Sequence, residues 1–274
     1  MGDMLNVSVV LPVYNEESCI EQFLASMVNF LRSQGNAYKF QLILVDDGSL
    51  DTSFTKILNT FDILGFESLK RTSNPLVNTY GSESVVLERS YRSNNIKALC
   101  LKLRTNKGQT WATREGLRYT EESDLIATMD SDGQHPLPVL MDMILESKAY
   151  SAVCARQIQR RDNFTKAIMS NLYYIVFETL LKANLPPNVG EFRVMKSSLV
   201  RAINVHPNSM ALRIAVPAMS RHLKVVDYVP LERESGESKY TLQKMLKLGI
   251  SFYKAKRYID STRFKEVNLS GEIE

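Results

Sequence analysis

The sequence predicts an α/β chain: a mostly parallel, mixed sheet with flanking helices, continued by C-terminal amphipathic helices. Three observations predict it. Short apolar runs recur at Val7–Val13, Gln41–Val45, Ile96–Leu103 and Asp124–Met129, as expected of strands buried on both faces. Helical patterns separate several of these runs, and such alternation gives parallel strands joined by right-handed crossovers. Three strand ends carry polar clusters, Tyr14-Asn15-Glu16, Asp46-Asp47-Gly48-Ser49 and Asp130-Ser131-Asp132. Ligands of such sheets sit at the carboxyl ends of strands, so one cleft would collect all three clusters.

The elements follow in order. After the first strand, Ile20, Phe23, Leu24, Met27, Val28 and Leu31 fall on one helical face. Asn15 is the expected N-cap, with Glu16 and Glu17 in the first turn. The second strand, QLILV, runs into the Asp46–Ser49 cluster, and Leu50-Asp51-Thr52 opens a second helix. Residues 62–95 are rich in Ser, Asn and Gly, contain a Pro and lack a period, which predicts an inserted loop. Ile96–Leu103 resumes the sheet and Thr110–Tyr119 suits a helix. A strand over Asp124–Met129, a helix over Val139–Ser147 and a strand over Ser151–Ala155 complete the alternation.

Two later segments have an apolar side. In Asn163–Asn184 the residues Phe164, Ile168, Leu172, Ile175, Val176 and Leu180 approximate a stripe. Lys239–Lys265 carries eight Lys/Arg and one acid, interleaved with Leu242, Met245, Leu246, Ile250 and Tyr253. A basic amphipathic helix of this kind lies readily on an anionic membrane.

Composition narrows the function. With 274 residues, 44% hydrophobic and 23% charged, the chain has ample material for a core and is neither disordered nor collagen-like. Three cysteines without a CxxC exclude a disulfide framework, and three dispersed histidines leave no zinc site. No run approaches the ~18 apolar residues of a membrane span. The N-terminus lacks a basic leader and runs straight into a strand pattern, so no signal peptide is expected. Charge is divided unevenly. Residues 1–151 hold 14 Lys/Arg and 19 Asp/Glu, a balance of −5, and residues 152–274 carry +9. The second half is therefore expected to meet an anionic partner, such as a phosphate or a membrane surface. Nucleic acid is not expected, because no aromatics are interleaved on an exposed sheet pattern.

Asp130-Ser131-Asp132 is the strongest local signal for chemistry. Two carboxylates at i and i+2 where a strand ends can face one ligand. Mg²⁺ and Mn²⁺ take few carboxylates and complete their shell with phosphate oxygens. Such a cation makes a diphosphate a better leaving group. Gln134 and His135 are close enough in sequence to be further ligands or supports. Asp46 and Asp47 suit hydrogen bonding to a base or ribose, with Gly48 allowing close backbone approach. There is no GxGxxG, no GxxxxGK[ST] and no GxSxG, so dinucleotide, P-loop and serine-hydrolase readings fail.

VSVVLPVYNEE, LILVDDGSLDTS, Asn106-Lys107-Gly108 and MDSDGQHP occur in the order and spacing of the family-two inverting glycosyltransferases, which this chain resembles over about residues 5–250. Gly190-Glu191-Phe192-Arg193-Val194-Met195 and Arg233-Glu234-Ser235-Gly236-Glu237-Ser238-Lys239-Tyr240 resemble segments of the polyprenyl-phosphate branch, which includes dolichol-phosphate mannose synthase-like and bactoprenol glucosyltransferase-like enzymes. The resemblance implies a GT-A fold over residues 1–235, with an acceptor loop and apolar helix at 156–190, and a basic amphipathic segment over 236–274. It implies that Pro12, Tyr14, Glu16, Asp46, Asp47, Ser49, Asn106, Lys107 and Asp130 bind a UDP- or GDP-sugar. Asp130, Asp132 and Gln134 would hold Mg²⁺ or Mn²⁺. Asp132, Glu191 and Arg193 would be catalytic. Arg156, Arg160, Arg161, Arg193, Arg233, Ser238 and Lys239 would bind the phosphates of donor and acceptor. Glu191 and Thr105 stand where the family usually has Asp and Arg, and the QxxRW signature of processive synthases is absent.

A polyprenyl phosphate acceptor is already an ionised nucleophile. Catalysis then reduces to positioning, charge neutralisation and stabilisation of the leaving group. This predicts a single-sugar transferase at the cytoplasmic membrane face, held peripherally or by an anchoring partner subunit. Two alternatives stand beside it. One is the same fold acting on a glycan hydroxyl with Glu191 as base; the other is a non-catalytic nucleotide-sugar-binding or membrane-scaffold subunit.

Overall fold

Leu5–Val13 forms β1, buried from Val7 onward, and it lies at the centre of the sheet. The computed structural model describes residues 4–69, 85–158, 189–204, 212–220 and 222–231. Among these, nine strands build one sheet in the order β3-β4-β5-β2-β1-β6-β8-β7-β9. The further strands are β2 (Tyr38–Asp46), β3 (Glu67–Leu69), β4 (Val85–Ser93), β5 (Ile96–Leu103), β6 (Leu125–Thr128), β7 (Ala152–Gln157), β8 (Val189–Lys196) and β9 (Leu223–Tyr228).

The expected mixed architecture is present. The centre β5-β2-β1-β6 is parallel throughout, whereas β3-β4-β5 and β6-β8-β7 pair antiparallel before β9 rejoins in parallel. Residues 62–95 correct the expectation of a loop, because β3 and β4 within them extend the sheet. Their pattern was hidden because β3 is exposed along its length and β4 carries Glu88, Arg89 and Arg92. Residues 70–84 lie outside the described part.

Helices cover both faces. On one, α1 (Ile20–Ser33), α2 (Ser53–Ile63) and α4 (Leu137–Glu146) bury Ile20, Leu24, Met27, Phe61 and Leu140 against Val9, Leu11 and Leu42. On the other, α3 (Gln109–Leu117), α5 (Ser197–Asn204) and α6 (Leu212–Met219) cover Val10, Ile43, Ile126 and Cys154. Truncating such a fully buried Leu or Ile to Ala costs about 2–5 kcal/mol. Gly116 lets α3 approach the sheet, since a Cβ there would stand 2.5 Å from Val10 Cγ1.

On this face α3 and α5 are joined by a buried cation. Arg114 is 1% exposed and donates through Nη2 to Ile203 O at 2.9 Å, while Asn204 Nδ2 returns a bond to Leu117 O. Burial, with Arg118 nearby, lowers the Arg114 pKa to about 10.

Asn15 is not the cap of α1. The helix begins at Ile20 after Cys19, and Asn15 instead takes a left-handed φ of 52°. The predicted segments over 163–184 and 239–265, and with them the C-terminal helices, lie outside the described residues.

Candidate active site

The carboxyl ends of β1, β2, β5 and β6 meet at one edge of the parallel sheet, and their loops are bonded to one another. Asn15 N donates to Ser49 Oγ at 3.0 Å and Asn15 Oδ1 accepts from Leu50 N at 2.9 Å. Glu16 N donates to Ser53 Oγ, and Glu17 Oε2 accepts from both N and Oγ1 of Thr52. The left-handed turn at Asn15 is what aims its side chain across the gap.

The two acids after β2 do structural work. Asp46 is fully buried, accepts from Ser49 N at 2.8 Å and leaves Oδ2 without a hydrogen bond. Burial pushes its carboxyl above the usual range. Asp47, 2% exposed, accepts from Lys107 N and Gly108 N, each at 2.8 Å, and so fixes the loop that opens α3. Burial raises its pKa as well, against the pull of those amides. Gly48 has a φ of +70°, and a Cβ there would meet Thr105 C at 2.7 Å. Asn106 and Lys107 are exposed on this loop, with Lys107 Nζ 4.1 Å from the Trp111 ring centroid.

The loop after β6 joins the same edge. Ser131 Oγ donates to Pro12 O at 3.0 Å. Asp130 Oδ1 accepts from Gln109 Nε2 at 2.5 Å, so the first residue of α3 holds the first acid. Asp132 Oδ1 accepts from Gln134 N, and Gln134 O accepts from Leu231 N at 3.0 Å. The chain leaving β9 thus returns to this loop. Tyr14 and Glu16 are half-buried at the end of β1.

His135 resolves as a support. Its ring stacks on Phe192 with centroids 4.6 Å apart and meets Tyr228 edge-on. Burial lowers its pKa to about 4, so the imidazole is neutral, and Nδ1 accepts from Asp130 N at 3.1 Å. The proton therefore sits on Nε2, 3.7 Å from Asp130 Oδ2.

Asp130 is strongly perturbed. Burial first, then the charges of Asp132 and Glu191, raise its pKa to about 7. Concentrated anionic charge of this kind fits a divalent cation. No three acidic, His or Cys groups among the described residues converge to hold one alone. Asp130 and Asp132 fit Mg²⁺ or Mn²⁺ only when ligand phosphates complete the shell.

The β8 side is built from charge pairs. Glu191 and Arg193, two apart on one strand, share a face. Arg193 Nη2 lies 3.2 Å from Glu191 Oε2 and also donates to Gly190 O. Thr128 Oγ1 holds Glu191 O. Arg213, from α6, brings Nη2 to 3.6 Å of Glu191 Oε1. Arg193 is fully buried and lies against Glu191.

Arg156 is paired within the sheet. Its guanidinium makes a bidentate pair with Asp227, at 2.6 and 2.9 Å, across the parallel β7–β9 register. Arg160, Arg161, Arg233, Ser238 and Lys239 lie outside the described residues. Sequence reasoning missed Gln109 and Arg213. Gln109 directly follows the Asn-Lys-Gly turn, which is a usable signal, whereas nothing in the local pattern marks Arg213.

A mixed α/β sheet with helices on both faces, its paired acids after β6 beside the bonded loops of β1 and β2, has the architecture of the GT-A glycosyltransferases. The particular family follows from comparison with known proteins. The glycosyl transferase family 2 model matches residues 8–72 and 81–203, and the chain belongs to that family.

An undecaprenyl-phosphate 4-deoxy-4-formamido-L-arabinose transferase of Edwardsiella ictaluri is 26% identical over 97% of this chain and 72% of its own length. Its namesake in Pseudomonas paraeruginosa is 28% identical over 88% of this chain and 62% of its own. The chain thus spans roughly two thirds of the length of such relatives. Among solved structures, a Pyrobaculum calidifontis mannosyltransferase in complex with GDP-Man and Mn²⁺ superposes with a TM-score of 0.57. It is 15% identical, covering 93% of this chain and 65% of that one, and it supports the fold.

Proposed function

We propose that this glycosyltransferase moves one sugar from a UDP- or GDP-sugar to a polyprenyl phosphate, with inversion, at the cytoplasmic membrane face. The observation that carries the choice of acceptor is the setting of Glu191. It is 8% exposed, and its two oxygens face Arg193 and Arg213. A general base must present a lone pair to the hydroxyl it deprotonates. An ionised phosphate needs no such base. The names of the relatives support the same acceptor.

In this reading Asp130, Asp132 and Gln134 hold Mg²⁺ or Mn²⁺, which supplies charge to the departing diphosphate. Gln109 and His135 hold Asp130 in position from either side. Pro12, Tyr14, Glu16, Asn106 and Lys107 form the donor edge, with Asp46, Asp47 and Ser49 shaping it from within. Arg160, Arg161, Arg233, Ser238 and Lys239 are proposed for the phosphates. No helix among the described residues is long and apolar enough to cross a membrane. The basic segment 239–265 or an anchoring subunit is proposed to supply attachment.

The test is transfer from labelled nucleotide sugars to short-chain polyprenyl phosphate, with Mn²⁺ or with EDTA. Metal-dependent formation of a sugar-phospholipid, lost in Asp132→Asn, is expected. Metal-dependent donor hydrolysis without lipid product would favour a hydroxyl acceptor, and neither product nor hydrolysis would favour a binding subunit.

A further inference from the structure

Around the paired acids the described charges are unequal in exposure. Asp130, Asp132 and Glu191 are the anions, and His135 is neutral among them. Two guanidiniums meet Glu191. Arg193 is sealed beneath it at 0% side-chain exposure, whereas Arg213 keeps 26%. The positive charge of Arg213 also reaches Asp130, favouring its ionised form. Arg213 is therefore the more exposed of the two guanidiniums on Glu191, and its charge reaches Asp130.

We propose that Arg213 is a specificity-determining residue that binds the acceptor phosphate. The proposal rests on the phosphate-acceptor reading above. A phosphate monoester entering beside two metal-binding acids meets repulsion from three carboxylates. A partly exposed cation held beside those acids lowers the cost of approach and orients the nucleophilic oxygen. Arginine suits the task, because its five N–H donors can hold Glu191 and a phosphate at the same time, and its fork matches phosphate oxygens. Glu191 is then the backstop that sets the guanidinium's direction, and Arg193 sets Glu191. This chain of contacts gives the Glu-x-Arg pair on β8 a purpose without either residue touching substrate.

The same chemistry is offered by a lipid-linked phosphate and by a soluble phosphomonoester. The experiment therefore runs both, a short-chain prenyl phosphate and glycerol phosphate, with prenyl alcohol as the uncharged control. Initial rates are measured for wild type, Arg213→Gln and Arg213→Lys, with donor affinity measured separately by titration with the nucleotide sugar and Mn²⁺.

Arg213→Gln is expected to raise KM for the phosphate acceptor about 10- to 100-fold, the scale of one charge-assisted contact. Donor affinity should stay within about 2-fold of wild type. Arg213→Lys should recover part of the loss, since the charge returns without the fork. Inorganic phosphate should compete with the acceptor in wild type and compete poorly in Arg213→Gln.

Transfer by wild type to a phosphate acceptor, with an unchanged acceptor KM in Arg213→Gln, would overturn the inference and leave the proposed function standing. A loss of donor affinity equal to the loss in acceptor KM would also overturn it, as the mark of a structural residue. Transfer by wild type to the alcohol alone would remove both the inference and the reading beneath it.

Discussion

The two ends of this cleft are made from different interactions. The proposed donor end, over β1, β2 and β5, is held by short bonds between loop side chains and backbone amides, including Asn15 to Ser49 and Leu50, and Asp47 to Lys107 and Gly108. The proposed acceptor end, over β7, β8 and β9, is held by ion pairs, Arg156 with Asp227 and Glu191 with Arg193 and Arg213. Backbone bonds fix a shape before any ligand arrives. Ion pairs can be shared with an incoming anion at little cost. In the proposed function, the first arrangement suits a nucleotide and the second suits a further, anionic substrate.

The largest expected effect falls on the boundary between these ends. Asp132→Asn should lower metal-dependent turnover about 10³-fold or more, since leaving-group stabilisation is lost. Steady-state rates with saturating Mn²⁺ check this, and near-normal rates would break the assignment of the metal.

Rigidity of the donor end is tested next by Gly48→Ala. The added Cβ would lie 2.7 Å from Thr105 C on a backbone with positive φ, so a loss of about 2–4 kcal/mol is expected. Urea unfolding measures it. A loss under about 1 kcal/mol would show that the loop yields, and the contrast would weaken.

His135→Ala should weaken Mn²⁺ affinity about 10- to 100-fold through Asp130, read by titration of the metal with nucleotide present. His135→Asn, which keeps an acceptor for Asp130 N, should recover part of it.

The pH dependence has a defined sign. The pKa of Asp130 in the fold, about 7, exceeds its unfolded value, so the folded state binds this proton more tightly. The group's contribution to stability is gained as pH falls from about 7 toward about 4 and is absent above that window. The anion that a metal needs disappears over the same fall. The metal-free protein should therefore gain melting temperature between pH 8 and 6 relative to Asp130→Asn, while Mn²⁺ affinity drops. Parallel thermal melts of the two proteins decide the matter.

The smallest effect belongs to Arg156→Ala. Its pair with Asp227 is half-exposed, and such pairs contribute about 0–1 kcal/mol. A change in acceptor KM there would show that this pair, too, is shared with substrate.

Much of this contrast was legible beforehand, and the exceptions have causes. Val7–Val13 and Ile96–Leu103 read as strands because burial on both faces demands continuous apolar residues. The edge strand β3 and its neighbour β4 did not, because β3 is exposed along its length and the β4 sequence carries Glu88, Arg89 and Arg92. The three strand-end clusters predicted one cleft because a parallel sheet brings its carboxyl ends together. Their bonding was not predictable: Asn15 looked like a helix cap and became a bridge between loops. Glu191 and Arg193 could be placed on one face from their spacing, since alternate residues of a strand point the same way. Arg213 could not, because it meets Glu191 through a contact between distant elements. The pairing of Arg156 was hidden for the same reason, as its partner lies 71 residues away.

The position of β1 has a consequence for how the chain is made. Its Val7–Val10 segment pairs in parallel with Leu125–Thr128, 118 residues later. At synthesis rates of about 5–20 residues per second, one edge of β1 waits roughly 6–24 s for its neighbour. Throughout that interval an uncharged VSVVLPV edge is open to pairing with other chains. The strand that organises the finished cleft is therefore the point at which nascent molecules are most exposed to aggregation, and slower translation lengthens that exposure.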